Sequence, residues 1–126
     1  MLRRSLECLA LVLLVLLLAL PASAQQLQQR AAALQGLEKV TARVSTILIE
    51  IDRPVRFGTL EIIMRACHKR PPEEPPENAA FLEIRELRLG EQPRQLFSGW
   101  MFSSSPALNP LQHPVYDVWV LECRRG

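Results

Sequence analysis

The sequence predicts an all-β fold: a small antiparallel β-sandwich or barrel of five to six strands, with a long loop and an N-terminal helical or disordered tether. Three observations predict it. Short runs rich in Val, Ile, Leu and aromatic residues recur from Val40 to Cys123, and one of them, Leu60 to His68, alternates clearly between two faces. Gly, Pro and Asn punctuate the spaces between them. No strong helical pattern interrupts the series, which favours sheets packed on sheets or one closed sheet.

The first elements precede that domain. Arg3 and Arg4 form a short basic region, Leu9 to Leu20 is an unbroken apolar run, and Pro21-Ala22-Ser23-Ala24 follows with small residues. This is the layout of a secretory signal peptide over residues 1–24, with cleavage expected after Ala24. The apolar run is shorter than the roughly twenty helical positions a bilayer requires, so no permanent span is expected. Cys8 would leave with the signal. Residues 25–39 are Gln-, Ala- and Leu-rich, with Leu27, Ala31, Leu34 and Leu37 near one helical face and Gly36 weakening the end. They read as a frayed tether rather than a docking helix.

The domain proper is then 40–126. Val40 to Ile51 holds Val44, Thr46, Ile47, Leu48, Ile49 and Ile51, whose branched side chains suit a pleated strand, and Arg53-Pro54 ends it. Leu60 to His68 sets Leu60, Ile62, Met64 and Ala66 on one face. Ala79 to Leu89 and Gln95 to Phe102, separated by Gly90 and Pro93, form a hairpin pattern. Val115 to Cys123 is apolar on both faces and is the expected central strand.

Loss of the signal would leave roughly a hundred residues, one domain with a modest core. It would also lower the formal net charge from +2 to +1 through Arg3, Arg4 and Glu7, too near neutral to point to nucleic acid or an acidic membrane surface. Cys67 and Cys123 remain as an even pair, which in an oxidising compartment forms a disulfide. Each sits at the C-terminal end of its strand, so the two strands should run the same way, on one sheet or across two.

Two segments are candidate contact surfaces. His68-Lys69-Arg70-Pro71-Pro72-Glu73-Glu74-Pro75-Pro76-Glu77-Asn78 carries four prolines that remove amide donors, so it reads as a stiff, extended, polyproline-like connector or a presented recognition edge. Ser98 to Pro114 reads as a long loop whose Trp100, Met101, Phe102, Leu108 and Leu111 favour packing over exposure, with Asn109, His113 and the following Tyr116 at its margins. A pocket, if present, is expected beneath it.

Chemical signatures are weak by comparison. Ser103 to Ser105, His113 and Asp117 supply the residue types of a hydrolytic triad without a Gly-x-Ser-x-Gly elbow. The cysteines are too far apart for a Cys-x-x-Cys redox site. Glu73 and Glu74 are adjacent in a proline-rich loop, which does not create the unequal environments that acid–base work needs. Cys67, His68, His113 and Cys123, with Met64 and Met101, could ligate zinc or copper, but Cys67 and His68 are sequential and point to opposite faces of a strand. No cofactor is expected.

Two long blocks carry a family resemblance. One runs from Val55-Arg56-Phe57-Gly58-Thr59-Leu60 through Arg65-Ala66-Cys67-His68-Lys69-Arg70-Pro71-Pro72-Glu73-Glu74-Pro75-Pro76-Glu77. The other runs from Phe97-Ser98-Gly99-Trp100-Met101-Phe102 through His113-Pro114-Val115-Tyr116-Asp117-Val118-Trp119-Val120-Leu121-Glu122-Cys123. Together they resemble the bacterial family called domain of unknown function 2155, over nearly all of Val40 to Cys123. The resemblance implies a small secreted protein of the Gram-negative envelope with a cysteine in each block, and it implies no activity. Tyrosine is common in that family where this chain has His68, which weakens a metal role there. The resulting expectation is a non-catalytic periplasmic binding module whose partner is another envelope protein, ahead of a metal-binding protein and a small hydrolase.

Overall fold

The branched and aromatic runs fold as strands in the computed structural model, which describes residues 2–18 and 27–126. Helix α1, Leu2–Leu18, is exposed along its whole length. Among the described residues, no helix is long and apolar enough to cross a membrane. The expected cleavage site at Ala22-Ser23-Ala24 lies outside the described residues.

Eight strands follow: β1 Leu27–Gln28, β2 Ala31–Glu38, β3 Arg43–Glu50, β4 Val55–Phe57, β5 Leu60–Lys69, β6 Asn78–Glu86, β7 Arg94–Phe102 and β8 Tyr116–Arg124. They form two sheets, one in the order β1-β5-β6-β7 with β4 also on β5, the other β3-β2-β8. All pairs of named strands are antiparallel. One core joins the sheets. Leu34, Ile49, Val118 and Val120 of the smaller sheet face Leu60, Ile62, Met64, Leu82 and Ile84 of the larger, all buried. The expected hairpin is β6–β7, with Gly90 at a positive φ of 77° in the turn.

The expected tether over residues 25–39 is corrected. From Leu27 onward the supposed tether is part of the sandwich, and β2 is the centre of the smaller sheet. Its residues have helical propensity, but Ala32, Leu34 and Gly36 face the core while β3 and β8 satisfy its backbone on both sides. Gly36 is there for space: a Cβ would stand 2.7 Å from the Phe57 ring and 2.9 Å from Ile47. β1, β2 and the short β4 account for the excess over five or six.

β8 is correspondingly an edge strand, not the central one. Val118, Val120 and Cys123 point into the core, while Trp119 and Leu121 lie on the outward face of the small sheet. The expected direction of the cysteine strands is borne out across two sheets. β3 and β8 both run antiparallel to β2, and the parallel bridge between Ile51 and Met64 gives β5 the same sense. Cys67 and Cys123 are joined with their Cα atoms 5.8 Å apart.

Candidate functional site

Three strands of the larger sheet build an aromatic patch on its outward face. The registers place His68 opposite Ala79 and Ala79 opposite Phe102, with Phe81 opposite Trp100 in the next row. Trp100 meets the His68 ring edge-to-face, centroids 5.4 Å apart, and the Phe81 ring at 5.5 Å. It is still 37% exposed. Asn109 donates its side-chain amide to the Trp100 carbonyl at 2.9 Å, so the long loop closes against β7 beside the patch. Away from this end the same face turns to exposed ion pairs, Arg65 with Asp52 and Glu83 and Arg85 with Glu61, each worth little alone.

The proline-rich segment leaves β5 immediately beyond His68. It is not the extended arm expected: Arg70 N–H donates to the Glu77 carbonyl and Glu74 N–H to the Pro71 carbonyl, both at 3.1 Å, which folds the segment back on itself. Prolines restrict φ but leave the remaining amides free to close turns. Its end is pinned by Glu77, whose carboxylate accepts from Asn78 N–H, from Ser103 Oγ, and from both the amide and the hydroxyl of Ser104. Partial burial pushes this carboxyl up, but the bonds from Ser104, Asn78 and Ser103 outweigh it and hold Glu77 below the usual range.

Asn78 extends this network into the core. It is 8% exposed, its Oδ1 accepts from Cys123 N–H at 3.0 Å, and its Nδ2 donates to Ser103 Oγ at 3.3 Å. One amide thus ties β6, β8 and the long loop together beside the disulfide. Asn78→Ala is expected to cost about 1–3 kcal/mol in urea unfolding, because it orphans the buried Cys123 amide. An open cleft of about 500 Å³ lies between the proline-rich loop and the end of β8, lined by Lys69, Arg70, Pro72, Glu122 and Arg124 among others.

His113 and Tyr116 do not join this surface. β6 runs from Asn78 to Glu86, so the two lie at its other end, roughly 25 Å away at strand spacing. His113 is 7% exposed, which corrects its assignment to a contact face. Its Nδ1 accepts from the amides of Val115 and Tyr116 at 3.0 and 3.2 Å, leaving Nε2–H to donate to Glu86 Oε2 at 2.5 Å. Glu86, itself 4% exposed, also meets Arg88 Nε at 2.8 Å and Thr59 Oγ1 at 3.3 Å. The His113 hydrogen bond, reinforced against the cost of burial by the Arg88 charge and the Thr59 hydroxyl, holds the Glu86 carboxyl below its ordinary range. Tyr116 packs half-buried between the Phe57 and His113 rings. The long loop is therefore a cover held by Leu111 and His113, both buried, as its apolar content predicts, although Leu108 stays 69% exposed. Ser98 to Phe102 belong to β7 rather than to that loop.

The residue types of a hydrolytic triad are dispersed. Ser103 and Ser104 bond Glu77, Asp117 pairs with Lys39 at 3.1 Å, and both His113 nitrogens are engaged elsewhere. The cysteines are bonded to each other, and the described residues contain no group of three or more His, Cys, Asp or Glu placed to hold a metal. Glu86 and Asn78 organise the two ends of β6; sequence patterning assigns Glu86 no role and includes Asn78 only as the end of the proline-rich segment. Both carry a signal, since each continues the inward alternation of Ala80, Leu82 and Ile84 with a polar residue at a core position.

The sequence is similar to bacterial sequences described as uncharacterized. The sequence model of a family described as an uncharacterized protein conserved in bacteria (DUF2155) matches residues 32–123. A Rickettsia prowazekii (strain Madrid E) protein, "Uncharacterized protein RP359", is 32% identical over 88 residues, 70% of this chain and 57% of that relative. The chain thus spans little more than half of that relative's length. No solved structure matches.

Proposed function

The chain belongs to the DUF2155 family, and on that premise we propose that it is a non-catalytic interaction module of the bacterial cell envelope, acting in the periplasm through the aromatic end of its larger sheet. The observation that carries this reading is the convergence of His68, Trp100 and Phe102 with Lys69 to Glu74: a half-exposed tryptophan, backed by two rings, at the foot of a charged, proline-bearing loop. Tryptophan seated in an aromatic cluster with a polar rim is the composition of binding hot spots. The basic, apolar and small-residue order of the N-terminus and the Cys67–Cys123 bond support an oxidising compartment. The partner class this fits is another envelope protein, with no nucleic acid and no cofactor involved.

A photo-crosslinking residue placed at Pro72 in living cells tests the reading. A discrete protein adduct is expected at Pro72 and not at Gln92, in the β6–β7 turn. Trp100→Ala should lower its yield about tenfold or more while leaving the circular dichroism spectrum unchanged. Equal adducts from both positions, or an adduct indifferent to Trp100→Ala, would refute the assignment of the face.

A further inference from the structure

β3 closes the smaller sheet on one side, with one edge bonded to β2. Ile51 N–H donates to the Arg30 carbonyl on the β2 side, and Asp52 N–H to the Met64 carbonyl on the opposite side, both at 2.9 Å. Backbone groups alternate along a strand, so the N–H and C=O of Glu50, Leu48, Thr46 and Val44 point away from β2. The Glu50 carbonyl accepts from Arg53 N–H at 3.2 Å, and just beyond it the chain makes its parallel bridge to β5, but no strand among the described residues pairs with Leu48, Thr46 or Val44. The side chains of the same four residues lie on the outward face and are exposed, Val44 at 54% and Leu48 at 64%.

Exposed edges are normally blunted by a proline, a bulge, an inward charge or a covering segment. β3 has no proline, pairs with β2 in unbroken register over its eight residues, and is charged only at its ends, Arg43 and Glu50. The outward face beside it carries Leu37, Trp119 and Leu121, with Gln35 and Asp117 among them.

We propose that β3 pairs antiparallel with β3 of a second copy, in a register centred on Thr46, joining two three-stranded sheets into one of six. The strand complements itself in that register. Val44 lies opposite the partner's Leu48 and Leu48 opposite the partner's Val44, so the two most exposed apolar side chains of β3 cover each other twice. Side chains paired across antiparallel strands share a face, so the register can shift only in a way that recentres it on a neighbouring residue. Centring on Ile47 sets Val44 against Glu50, and centring on Ser45 leaves Leu48 against Ala42 in the turn. Charge agrees with the antiparallel sense. The strand begins with a cation and ends with a carboxylate, so antiparallel self-pairing brings the Arg43 end of each copy to the Glu50 end of the other. Glu50 meets Arg53 of its own chain at 3.1 Å and remains 55% exposed there.

The test uses the full chain carrying Cys8→Ser, which removes its one free thiol among the described residues. Light scattering should give twice the chain mass. Thr46→Cys should form an intermolecular bridge on mild oxidation, because the Cα atoms of an opposed, hydrogen-bonded antiparallel pair lie about 5.5 Å apart, within disulfide reach, while Ser45→Cys should not. Leu48→Lys should halve the mass with circular dichroism and tryptophan fluorescence unchanged. A monomer without any substitution overturns the proposal. So does a dimer that survives Leu48→Lys, or one that bridges through residue 45 rather than 46.

Discussion

Cys67→Ala combined with Cys123→Ala is expected to lower the unfolding free energy by about 4 kcal/mol, read from urea titration of the double variant against the oxidised protein. The bridge closes a segment of 56 residues, and releasing it returns that loop entropy to the unfolded chain. It also removes the covalent link between the sheets at the Asn78 end, where β5 and β8 otherwise meet only by packing. A domain of this size has total stability of roughly 5–15 kcal/mol, so a large share depends on one bond. The unsubstituted protein unfolded in the presence of reductant should behave as the double variant does. A loss below about 1 kcal/mol in both would mean that the reduced unfolded chain is already compact.

His113→Ala is expected to have the next largest effect, about 2–4 kcal/mol, because it leaves the Glu86 carboxylate buried with only Arg88 and Thr59 to meet it. It should also free the long loop, whose return to β8 is held by the two amides that donate to His113 Nδ1. The pH dependence has a defined sign. Glu86 has a folded pKa below its unfolded value, as does Glu77, so the stability they contribute is complete above the ordinary carboxylate range and is lost as the pH falls toward the depressed folded values. Melting temperature should therefore fall on acidification from neutral pH. Glu86→Gln should start lower and show a shallower acid limb. An acid limb as steep in Glu86→Gln as in the unsubstituted protein would transfer the effect to other carboxylates.

The strands visible in the sequence are those whose residues favour a pleated surface independently of context, such as Ile47 and Ile49 in β3, the alternation of β5 as far as Met64, where a register shift puts Cys67 rather than Ala66 in the core, and Val118 with Val120 in β8. β2 was not legible because Ala31-Ala32-Ala33-Leu34-Gln35-Gly36-Leu37-Glu38 has neither a β-branched nor an aromatic residue, and its conformation comes from the two strands that flank it, one of them distant in sequence. The aromatic patch was half legible: Trp100, Phe102 and His68 stand out as residues, but Phe81 joins them only through strand register. The disulfide partners followed from counting. The Glu86–His113 pair did not, because its members are separated by 27 positions and neither belongs to a spaced motif.

The position of β2 also bears on when the domain can form. A chain made from its N-terminus presents β2 and β3 early, but β2 is completed only by β8, the last nine-residue strand. The small sheet therefore waits for nearly the whole chain, a high contact order that slows folding and leaves one edge of an Ala- and Leu-rich hairpin open meanwhile. Synthesis stalled before Tyr116 would release a nascent product lacking one of the three strands of the smaller sheet, a natural substrate for holdase chaperones.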